Sequence, residues 1–275
     1  MSLRSLSAAA TLAASLVFHA PHAEARELKV CADPNNLPYS KADRTGFENR
    51  IAQVLADELD AKLTYTWFAQ RRGFLRNTLN AGKCDVVMGY PPNYQLLKST
   101  RPLYRSSYVF VRRAGEPEVI TFDDPALRQL KIGVQLVGDD GINTPPVQIL
   151  AKRGIIANLR GYSVYGDYGT AAPLAPIMTA VATGEVDVAV VWGPTAGYFA
   201  KHMSIPLQLT PVIIDPTMLA QQLTFDIAIG VRKDEAAFAD EIDAAIRKRR
   251  EEIDQILEDY GVPRLDRQRV AGSTP

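Results

Sequence analysis

Histidine and cysteine are scarce in this 275-residue chain, at three and two copies. His19 and His22 fall close to the N-terminus, which leaves His202 as the only histidine beyond them. A His/Cys zinc site takes three or four such ligands, so no metal is expected once the cysteines pair. A Ser-His-Asp triad would rest on His202 alone, and no G-x-S-x-G turn accompanies it. His202 reads as a surface residue. Phosphate loops of the G-x-x-x-x-G-K-[ST] type and G-x-G-x-x-G fingerprints are missing as well. So is an excess of charge: Lys+Arg 31 balances Asp+Glu 31, and nothing is left over to neutralise a nucleic-acid backbone. No nucleic-acid partner, catalytic group or cofactor is therefore expected. With 47% hydrophobic and 23% charged residues the chain is not disordered. Its length fits one large domain or two lobes of about 100 residues each.

Met1 to Ala25 read as a secretory signal. Arg4 supplies the positive start, Ser7 to Leu16 a small and apolar run reaching Phe18, and Ala23-Glu24-Ala25 the cleavage site, so the mature chain begins at Arg26. The run is shorter than the ~20 residues a bilayer span needs, which favours a leader over an N-terminal anchor. The expected compartment is a bacterial periplasm, with no stable membrane insertion. There, the pair Cys31 and Cys84 favours a disulfide over two free thiols. The alternative is two buried small hydrophobes.

One unit is written twice. Arg26-Glu27-Leu28-Lys29-Val30 echoes in Arg128-Gln129-Leu130-Lys131-Ile132, and Ala81-Gly82-Lys83-Cys84-Asp85-Val86 in Thr183-Gly184-Glu185-Val186-Asp187-Val188, each 102 residues later. Two echoes at one offset predict two similarly built lobes. Each reads as β-α-β-α-β. In the first, strands are expected at Leu28–Ala32, Leu63–Phe68 and Asp85–Met88. A helix between them carries Phe47, Ile51, Val54, Leu55 and Leu59 on one face, and a short one covers Phe74–Ala81. In the second, strands are expected at Lys131–Gln135, Ser163–Tyr165 and Val186–Val191. Helices begin at Thr144-Pro145, with Thr144 as N-cap, and at Pro176, the latter capped by Gly184. The fold class is α/β: two doubly wound lobes with flavodoxin-like strand order 2-1-3-4-5. In that order Cys31, in the first strand, and Cys84, just before the third, are neighbours.

Tyr108–Val111 and Phe225–Val231 read as two hinge crossings. Lobe 1 is then 26–112 with 225–275, and lobe 2 is 113–224. One long amphipathic helix, with Phe238, Ile242, Ile246, Ile253, Ile256, Leu257 and Tyr260 on its apolar face, ends at Gly261-Val262-Pro263. The tail from Arg264 to Pro275 reads as polar and loose.

Open parallel sheets bind ligands at the carboxyl ends of their strands. The loops there carry Asp33, Asn35, Asn36 and Tyr39, then Gln70, Arg71 and Arg72, then Gly89, Tyr90 and Pro91. From lobe 2 come Asp139, Asp140, Asp167, Tyr168 and Trp192. Asp33 to Asn36 also suit a plain turn, as does Asp139-Asp140-Gly141. Arg71 and Arg72 at a helix start oppose the macrodipole, which points to anion or partner binding rather than helix support. Trp192 fits either core or cleft lining. Tyr90, Tyr104, Tyr162, Tyr165 and Tyr168 predict an aromatic cleft.

Gly46-Phe47-Glu48, Gly82-x-x-Asp85-Val86-Val87, Arg101-Pro102-Leu103-Tyr104 and Ile227-Ala228-Ile229-Gly230-Val231-Arg232-Lys233 resemble type-2 periplasmic substrate-binding proteins of ABC importers, over nearly the whole mature chain. Val30-Cys31-Ala32-Asp33-Pro34-Asn35-Asn36-Leu37-Pro38-Tyr39-Ser40, Trp67 to Phe74, Cys84 to Pro91 and Val190-Val191-Trp192-Gly193-Pro194 are similar to a narrower branch, the MxaJ/XoxJ-type proteins associated with quinoprotein dehydrogenases of methanol oxidation. The resemblance implies a bilobal, monomeric, non-enzymatic binding protein that serves a PQQ-dependent methanol dehydrogenase, with that enzyme and its c-type cytochrome as partners. The alternative is the solute receptor of an ABC importer. Pro91 to Leu97 lacks the Arg with which amino-acid-binding members clamp the ligand carboxylate, and Arg101 lies too late to replace it, so amino-acid import is not what the resemblance implies.

Overall fold

The computed structural model describes residues 26–137, 143–165, 168–213 and 222–266. The segment Met1 to Ala25, expected to be a leader, lies outside them.

In chain order the first half holds β1 (Glu27–Ala32), β2 (Asn35–Asn36), β3 (Ser40–Lys41), α1 (Phe47–Glu58), β4 (Lys62–Trp67), the short α2 (Phe74–Asn77), β5 (Val86–Tyr90), β6 (Lys98–Ser99) and β7 (Tyr104–Arg113). Then come β8 (Ile132–Leu136), α3 (Pro145–Lys152), β9 (Leu159–Ser163), α4 (Pro176–Thr183), β10 (Val188–Trp192), α5 (Gly193–His202) and β11 (Leu207–Pro211). The chain closes with β12 (Thr224–Val231), α6 (Ala236–Lys248) and α7 (Arg250–Asp259).

The main sheet runs β4-β1-β5-β12-β7-β10-β8-β9. At each end three parallel strands stand in the order second, first, third. The next place is taken by an antiparallel crossing strand, β12 beside β5 and β7 beside β10. At the middle of the molecule β7 and β12 pair with one another, Thr224 opposite Ser107 and Ile227 opposite Tyr104. The strands that contain the two expected crossings thus join in one two-stranded waist, on the β7 side through Tyr104 to Ser107, whereas Tyr108 to Val111 ladder with β10.

The repeat has a physical content. The Asp85 carboxylate accepts the Lys29 amide at 3.0 Å, and the Asp187 carboxylate accepts the Lys131 amide at 2.7 Å. In return the Asp85 and Asp187 amides donate to the carbonyls of Lys29 and Lys131, at 2.8 and 2.9 Å. The echo is therefore a strand-start clasp that fixes the first and third strands of each half in register.

Burial follows the expected periods. Phe47, Ile51, Val54 and Leu55 face the first core, where they meet Ile229, Ile242, Ile253 and Leu257 returning from the C-terminal stretch. On β10, Val188 and Val190 enter one core while Ala189 and Val191 enter the other, so this sheet is covered on both faces.

Four expectations change. The long C-terminal helix is two, broken at Arg249, which pairs with Glu58 on α1 and with Glu252. The strand expected at Ser163–Tyr165 lies earlier, at Leu159–Ser163, because its partner β8 sets the register from Ile132 opposite Leu159. Thr144 stands at the N-cap of α3 with Pro145 after it, but its side chain makes no capping bond: its hydroxyl donates to the Gln135 carbonyl at 2.7 Å. The tail is not loose at its start, since Arg264 pairs with Asp254 and Asp266, and the Leu265 amide donates to the Arg105 carbonyl at 3.0 Å. No helix among the described residues is long and apolar enough to cross a membrane.

Candidate functional site

A cavity of about 670 Å³ opens where the carboxyl ends of the parallel strands of the two halves meet. Of the residues expected there, Asp33, Asn36, Tyr39, Gln70, Arg71, Arg72, Tyr90, Tyr104 and Trp192 line it. Asn35 and Tyr168 stand at its edge and tie the halves together. Asp139, Asp140 and Asp167 lie outside the described residues.

Asp33 follows β1 directly and is buried. Its carboxylate accepts the Asn35 amide at 2.9 Å, the Gln70 amide at 2.7 Å and the Tyr168 hydroxyl. It is thus a three-way tie, one strand of which crosses the cleft. Beside it the Asn35 side-chain amide donates to the Thr170 carbonyl at 2.8 Å, and the Tyr39 hydroxyl meets the Thr195 hydroxyl on α5 at 2.9 Å. The Arg71 guanidinium lies 5.3 Å from the Tyr168 ring centre and 5.9 Å from that of Tyr165. Asn36 reaches the Gln70 side chain at 3.4 Å. Tyr162 takes no part and points to Glu185 at 3.3 Å.

The floor is aromatic. Trp192, last residue of β10, packs edge-on between Tyr108 and Phe225, with ring centres 5.4 and 5.6 Å away. Its backbone amide donates to the Gln135 side chain at 3.1 Å. Tyr104 is fully within the first core, against Phe47 at 6.0 Å. Burial pushes the phenols of Tyr39, Tyr90, Tyr104 and Tyr108 far above their ordinary range, so all stay neutral. Tyr168 rises too, through burial and then through its bond to the Asp33 carboxylate.

Among the lining residues that the strand-end loops did not announce are Glu48, Tyr108, Gln135 and Thr195. Thr195 belongs to α5, which sequence reasoning missed because Trp192-Gly193-Pro194 reads as a loop. Glycine and proline there open a helix instead. Glu48 sits in the first turn of α1, anchored by Asn49, whose side-chain oxygen accepts the amides of Lys41 at 2.9 Å and Gly46 at 3.2 Å. The signal for it was its place directly after Gly46-Phe47, where an acid beside a buried phenylalanine has little water to face. Desolvation raises its carboxyl to about 8.

Chemically the cavity offers hydrogen bonds, aromatic faces and exposed arginines at its rim. No group of three or more His, Cys, Asp or Glu able to hold a metal occurs among the described residues. The cross-cleft tie is testable. Tyr168→Phe removes one hydrogen bond to a charged acceptor, worth about 1.5 kcal/mol. The Asn35 and Gln70 amides that share Asp33 are then expected to exchange with solvent roughly tenfold faster, read by hydrogen exchange; unchanged protection would show that the tie does not hold the cleft.

Comparison with known proteins agrees with this architecture. Protein MoxJ of Methylorubrum extorquens (strain AM1) is 32% identical over 268 residues, which covers 93% of this chain and 87% of that protein. Protein MoxJ of Paracoccus denitrificans is 29% identical over 92% of this chain and 95% of its own. The crystal structure of periplasmic binding protein XoxJ from Methylobacterium extorquens AM1 superposes with a TM-score of 0.71 at 35% identity, covering 86% of this chain and 99% of that one. MxaJ from Methlophaga aminisulfidivorans MPT gives 0.73 at 26% identity, covering 86% and 100%. An ancestral arginine-binding protein bound to arginine, 19% identical with a TM-score of 0.60, shares the fold alone. Residues 28–263 match the profile of the bacterial extracellular solute-binding proteins, family 3, and the chain belongs to that family.

Proposed function

We propose that this protein is a non-enzymatic periplasmic binding protein that serves as an accessory factor in the maturation or activation of a PQQ-dependent methanol dehydrogenase. The supporting observation is a likeness to MoxJ and XoxJ that runs through nearly the whole chain, cleft segments included. A cleft lined from both halves of the sheet and rimmed by exposed Arg71 and Arg72 suits a clamp on a protein segment. In this reading lobe 1 (26–112 with 225–275) and lobe 2 (113–224) turn about the β7–β12 waist, and binding shifts an open–closed population.

The test is a titration of the protein with a PQQ-dependent methanol dehydrogenase from the same organism, scored by association and by the enzyme's activation. Association is expected, and Arg71→Ala combined with Arg72→Ala is expected to weaken it at least tenfold. No association and no effect on the dehydrogenase would overturn the role.

The cavity's volume favours one second reading, a solute receptor of an ABC importer. A thermal-shift screen separates the two. One metabolite at a hundred times its dissociation constant adds about 2.7 kcal/mol of stability, whereas a segment-binding clamp stays silent across a metabolite library.

A further inference from the structure

Glu48 is the cavity group that the ties described above do not use. It is only 7% exposed, it lines the cavity, and no hydrogen bond or ion pair reaches its carboxyl from the described residues. Desolvation alone acts on it; no arginine charge does. The titratable groups near enough to feel its charge are phenols from separate elements: Tyr39 from the loop before α1, Tyr65 from β4, Tyr90 from β5 and Tyr104 from β7. On β5, Gly89 comes so close that a Cβ there would stand 2.7 Å from Glu48 Oε1. Any larger residue would cover the carboxyl. The first turn of α1 carries the positive end of the helix dipole, so an ionised Glu48 has local support as well. A buried carboxyl in such surroundings either keeps its proton or waits for a cation.

We propose that Glu48, at the floor of a cavity walled by tyrosine rings and the Trp192 indole, is the subsite for an alkylammonium group, the end of a lysine side chain on the bound segment. As to the source of that group, the inference rests on the accessory-factor reading; as chemistry, it does not. The exchange balances simply. The protonated carboxyl gives its proton to solvent, and the resulting carboxylate pairs with the incoming ammonium, which keeps its own charge. Aromatic faces add cation–π attraction.

Isothermal calorimetry with n-butylammonium, N-acetyl-lysine amide and uncharged n-butanol tests this, in phosphate and in Tris. Affinity for both ammonium probes is expected to rise roughly tenfold from pH 6.5 to 7.5 and to level off above the carboxyl's own value of about 8. Near pH 7 the heats in the two buffers should differ by close to one released proton per bound probe, a reading that needs no variant. Glu48→Gln should abolish the release and the pH dependence and weaken binding at pH 8.5 at least tenfold. The proposal falls if n-butanol binds as well as n-butylammonium, or if affinity is flat or falls as pH rises. The two readings fail separately. Proton-releasing butylammonium binding without any dehydrogenase association upholds the subsite, names a free amine as its ligand and removes the accessory role. Dehydrogenase association that is unchanged by Glu48→Gln and releases no proton removes the subsite and leaves the role standing.

Discussion

Cys31→Ala combined with Cys84→Ala is expected to lower stability by about 4 kcal/mol and the melting midpoint by about 10 °C. The two residues are disulfide-bonded, with Cα atoms 5.6 Å apart and a separation of 53 positions in sequence, and loops of that length leave much entropy for a crosslink to remove from the unfolded chain. The bridge joins β1 to the residues just before β5 inside a small satellite core of Phe74, Leu75, Leu79, Val87 and Leu97. That core carries the turn on which Arg71 and Arg72 stand, so the loss should also loosen the cavity rim. Both sulfurs are buried, and alkylation of the denatured, unreduced protein is expected to label neither. A loss below 1 kcal/mol, or labelling of both cysteines, would show that the crosslink is not a determinant of the fold.

The second large effect concerns Gly197, on the face of α5 that meets the end of the C-terminal stretch. A Cβ there would stand 1.9 Å from the Gly261 carbonyl oxygen and 3.2 Å from Pro263 Cδ. The obstacle is backbone, which cannot swing aside as a side chain can. Around it the two halves are stitched by the stacked rings of Tyr198 and Tyr260, 5.7 Å apart, and by Lys201 Nζ donating to the Asp259 carbonyl at 2.8 Å. Gly197→Ala is therefore expected to cost about 3 kcal/mol through overpacking. It should also part α5 from α7, raising the radius of gyration in X-ray scattering. Tyr198→Phe serves as the control, with little change expected in either reading. A Gly197→Ala protein with the parent's denaturation midpoint would mean that this seam has slack.

Much of this was legible because it is local. The spacing of Phe47, Ile51, Val54 and Leu55 predicts α1, and Pro176 to Gly184 predicts α4 to the residue, with Gly184 left-handed at φ 80°. The doubled Lys/Asp pattern predicted two like halves although its bonds are not local: each copy closes its own pair across the same 56-position span. The candidate site was legible as loops after strands, since strand order alone brings Asp33, Gln70, Tyr90 and Trp192 to one rim. What escaped depended on partners far away in sequence. The break at Arg249 answers to Glu58, on another helix. α5 begins at a Gly-Pro pair whose neighbours, Ser106 and Pro263, come from the other half. The isolation of Glu48 is set by phenols from several separate elements, and no periodicity announces an absent counter-charge.

The crossing strands also dictate an order of completion. β5 finds its antiparallel neighbour only in β12, where Tyr90 stands opposite Ala228. A chain made from its N-terminus thus has β7 to β11 of the second half in hand while the first half still shows a bare edge at β5. The half encoded later can complete its strands first, and the β5 edge of the half encoded first stays without this neighbour until β12, Thr224–Val231, has been made.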